Sequence, residues 1–194
     1  MKAAIAALKG FGVLNEGLLR FGRAVGIVAV ALMVVAILIQ VFFRYVLNNA
    51  LPWPDEAARF CMLWMTGMMA PTAFRSGGFV AIDMLSAALP QFLAHLLSFI
   101  LLCISALVLY VALQIGWKEV TGIGGRFATA SLYVPISFDF SEWMRVPRSW
   151  MMTSLLVGFA LLLLVNIELI LRKLLGLLGF ADELPVLDSG ARSD

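Results

Sequence analysis

Residues 24–43 read AVGIVAVALMVVAILIQVFF, twenty consecutive positions without a charge, bounded by Arg23 and Arg44. A helix rises about 1.5 Å per residue, so twenty residues cross a hydrocarbon layer about 30 Å thick. The whole chain of 194 residues is 62% hydrophobic, and its mean hydropathy is +0.99. A water-soluble domain of this composition would expose large apolar patches. The run therefore predicts an integral membrane protein.

Three further apolar runs follow, at residues 60–74, 92–117 and 149–167. With their flanks they predict an all-α membrane protein with amphipathic interfacial helices and four transmembrane spans, at about 24–46, 56–75, 91–117 and 149–171. The membrane domain then covers residues 24–173, and residues 174–194 form a C-terminal tail. Strands are not expected, because the runs are too long and continuous for the alternating pattern of a membrane-spanning strand.

Residues 1–23 form a leader that differs in character from the first span. On a helical wheel, its charged and apolar residues fall on opposite sides: Lys2, Lys9, Glu16, Arg20 and Arg23 against Phe11, Leu14, Leu18 and Phe21. This pattern predicts an amphipathic helix that lies on the membrane surface before the chain turns into the first span. Four glycines weaken that helix, so a frayed basic leader remains an alternative.

Basic residues indicate the orientation of the chain. They flank the first and last spans: Lys2, Lys9, Arg20, Arg23, Arg172 and Lys173. Because such residues favour the cytoplasmic side, both termini are predicted to be cytoplasmic. The long connection at residues 118–148 then faces the opposite side. Its aromatic residues suit either a docking surface or a loop that lies on the lipid.

A charged patch at residues 51–60, LPWPDEAARF, opens the second span. Proline is tolerated in the first turn of a helix, and acids such as Asp55 and Glu56 suit its positive end. Arg59 is spaced to pair with either acid, and Trp53 suits the membrane interface. The patch can be read as a capped and anchored helix start or as a contact with another protein, and residue chemistry alone leaves both open.

Several functional classes are disfavoured by the residues available. A formal charge of +2 gives no indication of nucleic-acid binding. His95 and two separated cysteines, Cys61 and Cys103, cannot build a zinc or haem site, so neither a cofactor nor catalysis is expected in this chain. Few polar groups lie near the middle of the spans, which disfavours a self-sufficient carrier. A stand-alone four-helix carrier or exporter that uses Arg75 and Asp83 as a cavity pair remains the alternative.

The stretch at residues 53–85, WPDEAARFCMLWMTGMMAPTAFRSGGFVAIDML, resembles the signature of the small membrane subunit, the Q-type subunit, of tripartite ATP-independent periplasmic (TRAP) transporters. The matching positions are Trp53, Asp55, Glu56, Arg59, Trp64, Arg75, Gly77 and Asp83. Phe79 stands where the family pattern has a histidine. Any role that the family gives to that imidazole therefore does not carry over.

The resemblance implies a non-catalytic subunit of the bacterial inner membrane with partners. A soluble periplasmic binding protein delivers a small solute, typically a carboxylate, to a large multi-span permease subunit, which uses a sodium gradient. The small subunit lies in the lipid bilayer, braces the large one and helps to receive the binding protein. The resemblance makes the following residues candidates for the partner interface: Trp53, Asp55, Glu56, Arg59, Trp64, Arg75 and Asp83.

Overall fold

The computed structural model describes residues 2–76, 90–135 and 143–177, and in these ranges the chain forms five helices and one two-stranded sheet. The helices are α1 (Lys2–Tyr45), α2 (Trp53–Arg75), α3 (Gln91–Thr121), the short α4 (Ile123–Arg126) and α5 (Arg148–Leu177). The strands are β1 (Ala128–Pro135) and β2 (Trp143–Pro147). The end of the family-like stretch with Phe79 and Asp83, residues 136–142 of the long connection and residues 178–194 of the tail lie outside the described residues.

Three helices are long and apolar enough to cross a membrane. Their candidate spans are Gly10–Tyr45, Leu96–Thr121 and Arg148–Gly176. Helix α2 occupies the segment of the predicted second span, but it is not among these candidates. The helical membrane architecture is thus confirmed, whereas a count of four spans is not.

Helix α1 runs without a break through the predicted boundary at residue 23, so the expected turn into the first span is absent from it. One side of the helix is buried on both sides of that boundary, at Leu8, Gly12, Asn15, Leu19, Gly22, Gly26, Ala29 and Ala36. The intervals are three or four residues, except for seven between the last two. A repeat of this kind keeps one face of a helix against its neighbour over many turns. The leader is therefore helical because its packing seam continues into the span.

The long helices pack in the order α1, α2, α5, α3. Glycines bring the backbones close at the crossings. A Cβ atom on Gly158 would lie 2.8 Å from the Cα atom of Gly67, and one on Gly22 would lie 3.0 Å from the carbonyl oxygen of Met68. Small residues at such crossings are typical of helix packing in membranes, where van der Waals contact replaces the hydrophobic effect.

An antiparallel hairpin of β1 and β2 fills the connection between α3 and α5, so the expectation that the chain contains no strands is wrong. Ala128 pairs with Pro147 at one end and Tyr133 pairs with Arg145 further along, with a register shift between them. Thr129 is 3% exposed, and its hydroxyl donates to the carbonyl oxygen of Val146 at 2.8 Å. The length of an apolar run indicates a membrane span but gives no signal for a short hairpin between two spans.

Candidate functional site

A buried carboxylate joins three helices at one end of the molecule. Glu168 of α5 is 0% exposed. Its Oε1 atom accepts from Arg75 Nη2 of α2 and from Arg172 Nε, each at 3.0 Å, and its Oε2 atom accepts from Asn15 Nδ2 of α1 at 2.7 Å. These four residues, Asn15, Arg75, Glu168 and Arg172, are the Glu168 cluster. It links α1, α2 and α5 through one side chain.

The backbone leaves little space around the Glu168 cluster. Gly12 lies against it, because a Cβ atom there would be 3.3 Å from both Glu168 Oε1 and Arg172 Nη2. The carbonyl oxygen of Gly12 also accepts a long hydrogen bond of 3.4 Å from Arg75. Arg172 follows Glu168 by one helical turn, and Arg75 is the last residue of α2. The i, i+4 spacing of Glu168 and Arg172, together with the space that glycine leaves at position 12, therefore allows both guanidinium groups to reach one carboxylate.

Two positive charges meet one negative charge in the Glu168 cluster, and two polar atoms there, Arg75 Nε and Asn15 Oδ1, are buried without a hydrogen-bond partner in the described structure. Removing one partner of a buried ion pair leaves an uncompensated charge, which is strongly destabilising. Glu168 follows Arg148 by twenty residues, or about 30 Å of helix. The cluster therefore lies at one edge of a membrane-sized span and not at its centre.

Glu56 forms a second carboxylate site near the start of α2. Its Oε1 atom accepts from the backbone N–H of Ala130 at 2.9 Å, and its Oε2 atom accepts from the backbone N–H and the hydroxyl of Ser131, each at 2.6 Å. The Ser131 hydroxyl also lies 3.0 Å from the carbonyl oxygen of Pro52. We name this contact, made by Pro52, Glu56, Ala130 and Ser131, the Glu56 anchor. It holds β1 against α2 at the end opposite the Glu168 cluster.

The other predicted interface residues are divided between these sites and the surface. Asp55 and Arg59 are exposed. No ion pair joins Arg59 to Asp55 or Glu56, since the pairs among the described residues are Arg20–Glu16, Arg75–Glu168 and Arg172–Glu168. Trp53 is 38% exposed.

Trp64 lies further along the same helix. Its ring centroid is 6.3 Å from that of Phe60, and its Nε1 atom is buried without a partner in the described structure. Asp83 lies outside the described residues, so the predicted pair of Arg75 with Asp83 is not tested. Arg75 instead pairs with Glu168.

Six residues of these sites are absent from the predicted set: Asn15, Pro52, Ala130, Ser131, Glu168 and Arg172. The available signal is a single acid at the end of the last apolar run, followed at i+4 by an arginine. Asn166 of α5 is also 0% exposed. In the amide orientation that gives both of its polar atoms a partner, its nitrogen donates to the Leu102 carbonyl of α3 at 3.2 Å and its oxygen accepts from the Ser105 hydroxyl at 2.9 Å. Helix α5 thus has polar contacts to helices on both sides.

The fold and its two carboxylate sites define a helical integral membrane protein whose helices are joined by buried polar contacts. Residues 33–176 match the family model described as "Tripartite ATP-independent periplasmic transporters, DctQ component". The chain belongs to this family, so it is a small permease component of a TRAP transporter, as the sequence resemblance predicts. The match includes Glu56, Arg75 and Glu168. Neither the curated proteins nor the solved structures gave a match.

Proposed function

We propose that this chain is the non-catalytic small permease subunit of a sodium-driven, binding-protein-dependent importer in the bacterial inner membrane. It braces the large permease subunit while that subunit moves a small organic solute, a carboxylate, across the membrane. The family membership supports the presence of other transporter components. The sodium gradient and the solute class are supported by the sequence resemblance alone.

The Glu168 cluster carries the proposal of a bracing role. Both oxygens of the carboxylate are bound by side chains of this same chain, and those side chains come from three helices. A carrier needs polar groups near the bilayer midplane that bind and release ions as helices move. A buried charge held by internal partners at the edge of the membrane instead favours a rigid scaffold, because moving one helix would break the ion pairs.

The Glu56 anchor supports a role for the hairpin end in docking. It fixes β1 to the start of α2 through three hydrogen bonds to one carboxylate. A surface held in this way needs little ordering when a partner binds, which lowers the cost of association. With both termini in the cytoplasm, this end faces the periplasm, where a soluble binding protein would meet the transporter.

Reconstitution tests the proposal directly. Proteoliposomes are prepared with this chain alone, with the large permease subunit alone and with both, and each is supplied with loaded binding protein and an inward sodium gradient. Uptake is expected only when both subunits are present, and it is expected to disappear when potassium replaces the sodium gradient. Solute uptake by this chain alone would overturn the proposal and restore the stand-alone carrier.

A further inference from the structure

One side of α2 carries exposed residues from its first turn to its C-cap, at Asp55, Arg59, Met62, Thr66, Ala73 and Ser76. The intervals are three or four residues, except for seven between Thr66 and Ala73, where Met69 and Ala70 are half-buried. We name this set the α2 stripe. Residues with this spacing share one face of a helix. From its first to its last position the stripe is about 30 Å long, which matches the thickness of the hydrocarbon layer.

The composition of the α2 stripe is unsuitable for contact with lipid. Helices α1 and α3 expose large apolar side chains over most of their length, whereas on α2 the exposed large apolar residues are Trp53 and Met62. Lipid-facing positions favour large apolar side chains, while small and hydroxyl-bearing residues are enriched where membrane helices pack together. Thr66 and Ala73 therefore indicate a helix contact that is missing from the isolated chain.

The charges at one end of the α2 stripe indicate the chemistry of that contact. Asp55 and Arg59 are exposed, and neither forms an ion pair with another described residue. Glu56 differs from both, because it faces the hairpin and is occupied by the Glu56 anchor. A partner with a basic group opposite Asp55 and an acidic group opposite Arg59 would complement this end, and such charge pairs fix the register of an interface.

We propose that the α2 stripe is the surface on which a transmembrane helix of the large permease subunit packs. That helix presents small or hydroxyl-bearing residues to Thr66 and Ala73, and charges complementary to Asp55 and Arg59. The apolar outer faces of α1 and α3 remain against lipid. This inference rests on the proposed function, since it assigns the interface between the two permease subunits to one face of one helix.

Two identical substitutions on different faces test the inference. Ala73→Phe places a bulky side chain in the α2 stripe, and Ala31→Phe places the same side chain on the exposed face of α1. Each variant is coexpressed with a tagged large permease subunit, and their association is measured in detergent. Ala73→Phe is expected to weaken association about tenfold or more, because helices packed through small residues cannot accommodate a ring. Ala31→Phe is expected to leave association unchanged.

Photo-crosslinking supplies a second measurement that does not depend on the stability of a variant. A photoreactive amino acid at Thr66 is expected to crosslink to the large subunit, and one at the exposed Leu32 of α1 is not. Association weakened by Ala31→Phe and not by Ala73→Phe, or crosslinking from Leu32 alone, would overturn the α2 stripe and leave the proposed function intact. Failure of the wild-type chain to associate with the large subunit would overturn both.

Discussion

Two glutamates in this chain have the same relation to an arginine one helical turn later, yet their environments are opposite. In the Glu16–Arg20 pair, the arginine and glutamate side chains are 79% and 47% exposed. In the Glu168–Arg172 pair, the corresponding values are 11% and 0%. An exposed pair contributes little because water and salt screen it, whereas breaking a buried pair leaves an unpaired charge. Sequence spacing alone cannot distinguish the two.

This contrast predicts the effect of removing each charge. Glu168→Gln is expected to lower the free energy of unfolding by about 3 to 5 kcal/mol, because two guanidinium groups lose the buried carboxylate that they share. Glu16→Gln is the matched control and is expected to change it by about 0.5 kcal/mol or less. Thermal unfolding of both variants in the same detergent checks this. Equal stability of the two variants would show that the buried cluster does not stabilise the fold.

The hydrogen bonds of the Glu56 anchor can be weakened by a single substitution. Glu56→Gln replaces one acceptor oxygen by an NH2 group that faces the N–H donors of β1, at a cost of about 1 to 3 kcal/mol. The amides of Ala130 and Ser131 are expected to exchange with solvent faster, while the helical content is unchanged. Asp55→Asn is the control, since Asp55 has no such bonds among the described residues. Unchanged exchange at both amides in Glu56→Gln would refute the anchor.

In each carboxylate site, the sequence predicts one residue of the main contact but not the residue that it binds. Glu56 and Arg75 belong to the predicted set because the family pattern contains them. Their partners Ser131 and Glu168 lie 75 and 93 positions away along the chain. No local pattern records such a contact, because it depends on how the helices pack. Resemblance to the family pattern therefore locates Glu56 and Arg75, and only the fold supplies their partners.

At the scale of elements, the glycines of α1 and α2 have a different role from the one their helix propensity indicates. The sequence argues that glycines weaken the leader, since each costs about 1 kcal/mol against alanine. In the structure Gly12 and Gly22 lie in the buried seam, where a side chain would meet the neighbouring helices. Gly10 and Gly17 have open space around them. Helix propensity therefore determines the effect of Gly10 and Gly17 on stability, whereas packing against the neighbouring helices determines the effect of Gly12 and Gly22.

Alanine substitutions separate these two roles. Gly67→Ala is expected to lower the free energy of unfolding by about 1 to 3 kcal/mol, because its Cβ atom would overlap the backbone carbonyl of Ser154 and separate α2 from α5. Gly17→Ala, with no atom near its added methyl, is expected to be neutral or stabilising by up to about 1 kcal/mol. Thermal unfolding in detergent compares them. A stabilised Gly67→Ala variant would contradict the close helix crossing.

Helices occur on all four predicted spans, and among the described residues three of these helices are long and apolar enough to cross a membrane. The second and fourth predicted spans, at 56–75 and 149–171, correspond to α2 (Trp53–Arg75) and α5 (Arg148–Leu177). The sequence does not predict the hairpin, because its strands are short and their pairing joins residues at both ends of a loop. It does not predict the continuity of α1 either, because the buried seam contains glycine and asparagine, which hydropathy does not count as core residues.

At the scale of the whole molecule, the two carboxylate sites mark opposite ends of the helix assembly. The Glu168 cluster joins the early part of α1, the end of α2 and the later part of α5. The Glu56 anchor joins the start of α2 to the hairpin. Between them, the outer helices α1 and α3 present mainly apolar surface. Polar contacts thus concentrate near the membrane edges, which is the arrangement that a bilayer favours.

This arrangement makes the orientation of the chain testable at both ends. Helix α1 has 44 residues, or about 66 Å, so its basic first part extends beyond a hydrocarbon layer of about 30 Å. The same end of the molecule carries Arg75, Arg172 and Lys173, and basic residues near the ends of spans favour the cytoplasm. We therefore expect the Glu168 cluster on the cytoplasmic side and the hairpin in the periplasm.

Single cysteines measure this orientation after Cys61 and Cys103 are replaced by serine. Ala50→Cys lies in the exposed connection before α2, at the hairpin end, and Ser76→Cys lies in the exposed C-cap of the same helix, at the Glu168 end. In intact spheroplasts that express this chain without the large subunit, an impermeant maleimide is expected to label Ala50→Cys and not Ser76→Cys, while permeabilised membranes should label both. Because the two positions flank a single helix, labelling of both in intact spheroplasts would show that α2 does not cross the membrane. Labelling of Ser76→Cys alone would reverse the orientation and place the hairpin in the cytoplasm, where a periplasmic binding protein could not reach it.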